Sequence, residues 1–367
     1  MKGSYKPIIT VLLAPLSLIY GIVIFFRNLF FDIGIFSSRE FALPVISVGN
    51  ITVGGTGKTP HVEHIISILK DEFRVAVLSR GYKRKSTGFV VASTASTIQD
   101  IGDEPLQIKK KFPEVEVVVD GDRVRGIRKL CLYSREIQAV ILDDAFQHRW
   151  VKPGISILLI DYNQPIKDDY LLPAGRLRES ASAKKRAVIV VVTKCPSDIK
   201  PIERRIITKD LNLFPWQSLY FSTFRYCDPL PVFSGALPFP GMEQLREIKP
   251  SILMITGIAN PQLLKIHLNL ISNRIEQICF SDHHQFTSQD INRIKVAWQS
   301  IKDKRKIIIT TEKDAMRFAV GNNIDPEIRE KMYYIPIDIR FIENDGELFK
   351  NQILNYVRNN KREHIIY

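Results

Sequence analysis

The chain has 367 residues, 45% of them hydrophobic and 25% charged, which excludes a disordered chain and predicts two domains or one elaborated domain. Its formal net charge of +13 indicates a polyanionic partner (nucleic acid, an anionic membrane surface or a phosphorylated substrate), although a merely basic soluble protein shows the same balance. The four cysteines are scattered and form no C-x-x-C pair, which argues against a zinc site and a disulfide framework and fits a reducing compartment.

An uncharged and largely apolar run extends from Ile8 to Phe26, near the N-terminus. Its 19 residues are close to the minimum for a helix that crosses a bilayer core of about 30 Å. A signal peptide is disfavoured because no small-residue cleavage site is evident, and a buried core helix is an alternative. We favour a membrane-associating helix within residues 1–36, which either spans the bilayer or lies in its interface. Basic residues flank both ends of the run, so charge gives no orientation.

A glycine-rich segment, GNITVGGTGKTP from Gly49 to Pro60, follows an apolar strand and precedes a helix with apolar residues at helical spacing. This order predicts a phosphate-binding loop, because glycines let backbone N–H groups approach phosphate oxygens and a helix N-terminus adds donors. Lys58 is placed to reach the β- and γ-phosphates and Thr59 to ligate Mg²⁺. An ordinary glycine turn is the alternative, since Thr52 stands where the usual pattern G-x-x-x-x-G-K-T has glycine. The residues predicted to hold the nucleotide are Thr52, Val53, Gly54, Gly55, Thr56, Gly57, Lys58 and Thr59.

Beyond the loop, short apolar strands alternate with helices up to about residue 222. The pattern predicts an α/β fold like that of P-loop-containing nucleoside triphosphate hydrolases, with a parallel sheet covered by helices on both faces. Prolines and glycines concentrate between 221 and 249, where we place a hinge, and the alternation then resumes. The predicted organisation is an N-terminal apolar helix at 1–36, a P-loop domain at 37–222 and a smaller C-terminal α/β domain at 223–367.

Ligands bind at the carboxyl ends of parallel strands, and several polar clusters fall there. Asp143 and Asp144 follow an apolar strand, as does the carboxylate that holds Mg²⁺ in phosphate-loop enzymes; a turn or helix cap is the alternative. On a helix, His148 would face the same side as Asp144. Arg80 and Arg123 stand in two further strand-end clusters.

Two acidic segments invite a catalytic interpretation. Asp103 opens a predicted helix in the segment GDEP, where a kinase base and a simple helix cap are the alternatives, and capping is the simpler one. Asp282, His283 and His284 form the second segment. Because adjacent histidine side chains diverge and no third ligand lies at metal spacing, a His–carboxylate pair is favoured over a metal site.

Two other segments leave alternatives open. The segment LPAGRLRE ends at Glu179, and phosphate recognition by Arg178 and a solvated surface loop fit it equally well. The pair Thr193-Lys194 at a strand end weakly resembles the guanine-reading N-K-x-D motif of GTPases. Pro196 replaces the required Asp, so guanine specificity is not expected.

In this order, the segments VGNITVGGTGKTP, LSRGY, GDEP, DGDR, LDDAFQHR, LLPAGRLRE, TGIANP, SDHHQF and TEKDA resemble the tetraacyldisaccharide 4'-kinase family, the lipid A 4'-kinases of Gram-negative bacteria. The resemblance runs from about residue 7 to residue 320. Two positions depart from the usual family pattern: Ala145 follows the paired acids, and Arg176 precedes LRE. The resemblance implies transfer of phosphate from ATP to the 4'-hydroxyl of tetraacyldisaccharide 1-phosphate, which gives lipid IVA in lipid A biosynthesis.

The resemblance also implies roles for individual residues. Lys58 contacts the transferring phosphate, and Asp103 is the general base with His283 as its partner. The implied Mg²⁺ ligands are Thr59, Asp143, Asp144 and Glu179. The residues implied to line the centre or contact the substrate are Arg80, Arg123, His148 and Arg178. The implied cofactors are ATP and Mg²⁺, and the implied partners are the lipid substrate and the anionic inner-membrane surface on its cytoplasmic face, with no nucleic acid and no obligate protein partner.

Two other classes of function are alternatives. A GTPase-type metallochaperone or switch protein would need the guanine-reading Asp that the sequence lacks. A non-enzymatic membrane or nucleic-acid binder would use the positive charge, but no nucleic-acid motif is recognised and the phosphate loop stays unexplained.

Overall fold

The computed structural model describes residues 7–167, 169–235, 237–239, 241–318 and 324–360, which form two compact units. The first unit comprises the described residues up to Thr94, Ile108–Phe224 and the residues from Ile339 onward; the second comprises Ala95–Gln107 and Arg225–Asp338. The division after Phe224 lies close to the predicted boundary. Two segments belong to a different unit from the one predicted. Residues 95–107 belong to the second unit, and the described residues from Ile339 onward belong to the first. The ends of the predicted outer domains, 1–6 and 361–367, lie outside the described residues.

The secondary structure follows the predicted alternation. The strands are β1 (Val45–Gly49), β2 (Val75–Ser79), β3 (Val90–Val91), β4 (Glu116–Val119), β5 (Ala139–Asp143), β6 (Ile155–Asp161), β7 (Ile189–Thr193), β8 (Ser218–Tyr226), β9 (Leu230–Pro231), β10 (Ser251–Thr256), β11 (Ile275–Cys279), β12 (Lys306–Thr311), β13 (Met332–Ile335) and β14 (Ile337–Phe341). The α-helices are α1 (Pro7–Asp32), α2 (Lys58–Leu69), α3 (Ile98–Ile101), α4 (Asp103–Lys111), α5 (Arg123–Tyr133), α6 (Pro201–Leu211), α7 (Met242–Ile248), α8 (Gln262–Asn269), α9 (Ser288–Ser300), α10 (Glu312–Phe318), α11 (Pro326–Glu330) and α12 (Asp345–Asn360).

Within the described residues, the first sheet has nine strands in the order β14-β8-β7-β6-β1-β5-β2-β4-β3. The central strand β1 is fully buried and pairs in parallel with β5 and β6, as expected for an apolar strand covered on both faces. Helix α2 packs on β1 and β5, and α5 packs on β2 and β4. The predicted parallel sheet is confirmed. Val48 is the register partner of Asp143, so the phosphate loop and the acid pair leave neighbouring strands at the same edge.

The second unit contains its own sheet in the order β11-β10-β12-β13-β9, parallel except for the pairing of β9 with β13. Trp298 of α9 and Phe318 of α10 are almost completely buried in one core cluster with Ile308 of β12. This is the smaller α/β domain that the alternating pattern predicts.

One predicted strand is wrong at its end. The sequence predicts a last strand from Tyr333 to Ile337, whereas β13 ends at Ile335 and Ile337 begins β14, which joins the first sheet. Pro336 separates the two strands, because proline has no N–H to donate to a ladder. Strand β8 lies partly within the connection that the sequence marks as irregular.

Helix α1 is longer than the apolar run that predicts it and extends to Asp32. By length and composition it is able to cross a membrane, and only 6% of its most apolar window is buried. Its exposed side chains include Leu18 and Phe25, which are 66% and 62% exposed. The alternative of a buried core helix is therefore wrong.

Candidate active site

The phosphate loop occupies the residues between β1 and α2, and α2 begins at Lys58. Gly57 caps the helix with φ 85°, a left-handed conformation that suits glycine, and a β-carbon there would come within 2.9 Å of the Phe224 ring. The first N–H groups of a helix have no partner within it, so the start of α2 offers donors and partial positive charge to an anion. Lys58 and Thr59 both stand in this first turn.

Part of the predicted cradle is already engaged within the protein. The N–H of Val53 donates to the carbonyl of Arg176 at 2.8 Å, and the N–H of Thr56 donates to that of Gly54 at 3.1 Å. Thr52 is buried and forms an isolated bridge with a residue of the neighbouring LRE segment. The first residues of the loop therefore fix its backbone, and the first turn of α2 offers the donors that an anion needs.

Asp144 lies against the phosphate-loop lysine. Its Oδ1 is 3.7 Å from Nζ of Lys58, and its Oδ2 is 3.2 Å from Nη1 of Arg178. Burial opposes the ionisation of Asp144, but the charges of Lys58 and Arg178 bring its pKa below the ordinary value. Asp144 also has φ 46°, a left-handed conformation that is uncommon for a residue other than glycine and is concentrated at functional sites.

Asp143 is placed more deeply than Asp144, at the end of β5. Its Oδ2 accepts a hydrogen bond from the hydroxyl of Ser79 at 3.1 Å, and its carbonyl accepts from Nη2 of Arg123 at 3.2 Å. Arg123 also donates to the carbonyl of Asp120 at 2.9 Å and is 3% exposed. The Asp143 side chain thus joins the ends of β5 and β2, and Arg123 joins the end of β5 to the segment after β4. Asp144 is the member of the acid pair with an ion pair to Lys58.

His148 is a partly buried imidazole near these charges. Within the described residues its Nε2 is buried and has no hydrogen-bond partner. Burial, and then the charge of Arg123, lowers the pKa of His148 to about 4, so the ring is neutral at neutral pH. It lines a cavity of about 590 Å³ together with Arg39 and Arg128, which the sequence did not single out. Arg80 is exposed after β2 and adds to the positive charge around His148.

The pair Thr193-Lys194 at the end of β7 fixes the phosphate loop. Lys194 is buried, with its Nζ 2.6 Å from Oδ2 of Asp161 and in contact with the carbonyl of Gly55. The Thr193 hydroxyl donates to the carbonyl of Thr56 at 2.9 Å. The pair that resembles a guanine-reading motif thus orders the loop backbone. Sequence reasoning missed Asp161, whose only signal is an acid at the end of an apolar strand.

His61 fixes the end of the same loop. Its Nδ1 is 2.7 Å from the carbonyl of Gly57, and its Nε2 is 3.0 Å from the hydroxyl of Ser222. A carbonyl only accepts, so Nδ1 carries the proton. Burial lowers the pKa of His61 to about 3, which keeps the ring neutral.

Glu179, one of the implied metal ligands, is held by two neighbouring side chains. Its Oε2 is 2.8 Å and its Oε1 3.1 Å from the guanidinium of Arg186, and Oε2 also accepts from Asn28 at 3.0 Å. In the described part of the chain, no group of three or more His, Cys, Asp or Glu side chains is arranged to hold a metal ion. Mg²⁺ is usually held in kinases by one or two protein oxygens, substrate phosphates and water. Thr59 in the first turn of α2 and Asp144 beside Lys58 fit such a site.

In the second unit, three motifs that are far apart in sequence come together around Asp103. Its Oδ2 accepts from Nδ1 of His283 at 2.9 Å and from Nη2 of Arg317 at 2.5 Å. Lys313 places its Nζ 3.1 Å from Nε2 of His283 and 2.9 Å from Oε1 of Glu104. Sequence reasoning missed the lysine and arginine, although the TEKDA motif contains the former.

The environment of Asp103 favours its charged form. Asp103 is 5% exposed, and burial alone would raise its pKa. The hydrogen bond from His283 and the charges of Lys313 and Arg317 outweigh burial and hold the pKa of Asp103 well below its usual range. The carboxylate is therefore ionised throughout the neutral range.

The two adjacent histidines diverge as expected. Nε2 of His284 is 2.9 Å from Oδ2 of Asp290 in the first turn of α9, and its ring stacks on Phe280 at 4.7 Å. His283, with φ 57°, is the one that contacts Asp103.

A phosphate loop at the end of a central parallel strand, with an acidic pair on the neighbouring strand, defines a P-loop protein that binds a nucleoside triphosphate. A second α/β unit with a buried carboxylate–histidine pair accompanies it. The family model described as tetraacyldisaccharide-1-P 4'-kinase matches residues 9–358, and the chain belongs to this family.

Individual relatives agree with this assignment. The tetraacyldisaccharide 4'-kinase of Phocaeicola vulgatus is 48% identical over 95% of this chain and 96% of that protein. That of Bacteroides thetaiotaomicron is also 48% identical, over 95% of this chain and 94% of that protein. A crystal structure of the "apo" form of LpxK from Aquifex aeolicus in complex with ATP has a TM-score of 0.71 and 29% identity, and it covers 95% of this chain and 99% of that one.

Proposed function

We propose that this protein is an ATP-dependent kinase that phosphorylates the 4'-hydroxyl of tetraacyldisaccharide 1-phosphate and so forms lipid IVA in lipid A biosynthesis. The match of residues 9–358 to the kinase family carries this proposal. The site supports it, because Lys58 and Asp144 stand together at the start of α2. The alternative of a GTPase is disfavoured, since Pro196 replaces the Asp that the guanine-reading motif requires after Lys194.

Phosphoryl transfer depends on positioning and charge stabilisation more than on covalent chemistry. In the proposed reaction, Lys58 binds the β- and γ-phosphates, and the N–H groups at the start of α2 hold their oxygens. Arg178, fixed by Asp144, supplies a second cation near the transferring group. Mg²⁺, when bound, neutralises charge on the phosphates, and Thr59 and Asp144 are the residues that would hold it.

Asp103 is the proposed acceptor of the proton from the 4'-hydroxyl. Its Oδ2 is occupied by His283 and Arg317, while its Oδ1 accepts the N–H of Glu104 at 3.0 Å. Because Oδ1 keeps a second lone pair, it is the oxygen that suits the substrate hydroxyl. A carboxylate of low pKa is a weak base, but a loose transition state needs the hydroxyl oriented more than deprotonated early.

The cavity beside His148 suits the phosphorylated end of the acceptor. Arg39 and Arg128 both line it, and arginine forms bidentate hydrogen bonds with phosphate.

The direct test is transfer of labelled phosphate from ATP to tetraacyldisaccharide 1-phosphate in detergent micelles. We expect transfer to the 4'-hydroxyl, dependence on Mg²⁺ and a preference for ATP over GTP. A folded protein that binds ATP but transfers no phosphate to this acceptor would overturn the lipid kinase proposal. A preference for GTP without transfer would favour the switch-protein alternative.

We also propose that α1 lies along the cytoplasmic surface of the inner membrane and holds the enzyme at its lipid substrate. One face of α1 is hydrogen-bonded to the rest of the first unit: the Ser17 hydroxyl donates to the carbonyl of Leu171 at 3.1 Å, and the Tyr20 hydroxyl donates to that of Arg178 at 2.8 Å. The opposite face is apolar and exposed, including Ile19 and Ile22. A helix with one face on folded protein is suited to the interface, where its apolar face enters the headgroup region.

The membrane role of α1 predicts a specific loss of vesicle binding. Changing Ile19, Ile22 and Phe26 together to Gln removes apolar area from the exposed face, so we expect binding to anionic vesicles to fall at least about tenfold in a cosedimentation assay. The matched control changes three exposed apolar residues outside α1 to Gln, namely Leu132, Ile202 and Ile206, whose summed exposure is the larger. An equal loss in both variants would contradict a specific role of α1.

A further inference from the structure

Lys313 has no role in the proposed phosphoryl transfer so far, although it lies close to both His283 and Asp103. It lies on α10, with Arg317 four residues later on the same face. Its side chain is 19% exposed, and its Nζ is 2.9 Å from Oε1 of Glu104 and 3.1 Å from Nε2 of His283. Burial opposes the charge of Lys313, but Glu104 and Asp103 outweigh it and raise the pKa of Lys313, so the group stays an ammonium.

The contact between Lys313 and His283 determines where the imidazole proton lies. An ammonium group only donates hydrogen bonds, so Nε2 of His283 must accept from it. The neutral ring then carries its proton on Nδ1, which donates to Oδ2 of Asp103 at 2.9 Å. Among the described residues, the charged groups around the ring include Asp103, Lys313 and Asp282, whose Oδ2 is 3.9 Å from Nε2.

Arg317 fixes the Asp103 carboxylate, the partner of His283. Its Nη2 donates to Oδ2 of Asp103 at 2.5 Å, and its Nη1 donates to Oδ1 of Asp314 at 2.7 Å and to the carbonyl of Gly257 at 3.0 Å. Asp314 in turn accepts from the N–H of Gly257 at 2.9 Å and from the Thr311 hydroxyl at 2.7 Å. This buried network leaves the Asp103 carboxylate little freedom to rotate.

We propose that Lys313 is a positioning residue for phosphoryl transfer: it holds His283 in the neutral Nδ1–H tautomer that donates to Asp103. Arg317 and Asp314 hold the Asp103 carboxylate in the orientation in which its Oδ2 accepts this hydrogen bond. The inference rests on the proposed kinase function, in which Asp103 and His283 act as the base and its partner. Without the ammonium group, the Nδ1–H tautomer loses the donor at Nε2 that selects it, and the ring takes either tautomer.

The test compares Lys313→Met with Lys313→Arg, which keeps a cationic donor, and with Lys302→Met, a matched change at an exposed lysine. Nitrogen NMR of protein labelled in the imidazole ring reports the His283 tautomer, with His283→Gln to assign its signals. We expect the Nδ1–H signature in the wild type, in Lys302→Met and largely in Lys313→Arg, and its loss in Lys313→Met. An unchanged signature in Lys313→Met would overturn the inference, whether or not the protein is a kinase.

Kinetics supply the second readout. For Lys313→Met we expect kcat to fall about 10- to 100-fold with KM for ATP unchanged, because the proposed base pair of Asp103 and His283 is no longer held in its working geometry. Lys313→Arg should recover most of kcat. A loss that Lys313→Arg does not relieve would indicate a merely structural role and contradict the proposal. Absence of transfer in the wild type would refute the kinase proposal instead and leave the NMR result valid.

Discussion

Lys58→Ala should reduce turnover by at least about 10²- to 10³-fold, because the phosphate loop loses the cation that stabilises charge on the transferring phosphoryl. The fold should persist: Lys58 stands at the start of α2, and its ion pair with Asp144, at 3.7 Å, is long. Labelled-phosphate transfer measures the loss, and thermal unfolding measures whether the variant is folded. Vesicle binding should be unchanged, since α1 is untouched.

The matched control for this variant is Lys70→Ala at the other end of α2, where the lysine pairs with Glu114 on the surface. Surface ion pairs of this kind contribute little to stability, so turnover should stay near the wild-type level. Full transfer by a folded Lys58→Ala variant would show that the glycine-rich loop is an ordinary turn before a helix. Retained vesicle binding without any transfer in the wild type would point to a non-enzymatic membrane binder.

The phosphate loop and the acid pair could be predicted because both are local patterns. A glycine-rich turn between an apolar strand and a helix constrains the backbone over a few residues, and an acid after an apolar strand falls at the ligand edge of any parallel sheet. The register of Val48 with Asp143 then brings the two together. Fold class follows from the same alternation of short strands and helices.

The contacts that order the site could not be predicted in this way. Lys194 and Asp161 are 33 residues apart, and Arg317 and Asp103 are 214 apart. Nothing in the local sequence says which cation will face which carboxylate, since that depends on how helices pack on the sheets. Glu179 is a further example: its motif suggests a metal ligand but does not reveal that Arg186, seven residues later, donates to both of its oxygens.

Asp103→Asn should lower kcat about 10²- to 10⁴-fold, the usual contribution of a positioned acid–base group, with little change in KM for ATP. The amide keeps the size of the carboxylate but removes its negative charge. An NH₂ group, which only donates hydrogen bonds, replaces one of the two carboxylate oxygens. Arg317 and His283 both donate to Oδ2, and an amide oxygen placed there leaves an N–H₂ group directed at the substrate hydroxyl. The matched control is Asp71→Asn, the same chemical change at a surface carboxylate that is 85% exposed.

The pH dependence separates a base of low pKa from one that titrates near neutrality. Because His283, Lys313 and Arg317 hold the pKa of Asp103 below its usual range, the carboxylate is ionised at every pH above the ordinary aspartate value of about 3.9. The ratio of wild-type to Asp103→Asn kcat should therefore be constant from about pH 5.5 to about pH 8, since Asp103 takes up no proton in that range. A ratio that shrinks toward acid pH would mean that Asp103 is protonated there, and that the cations around it do not hold its pKa down in the working enzyme.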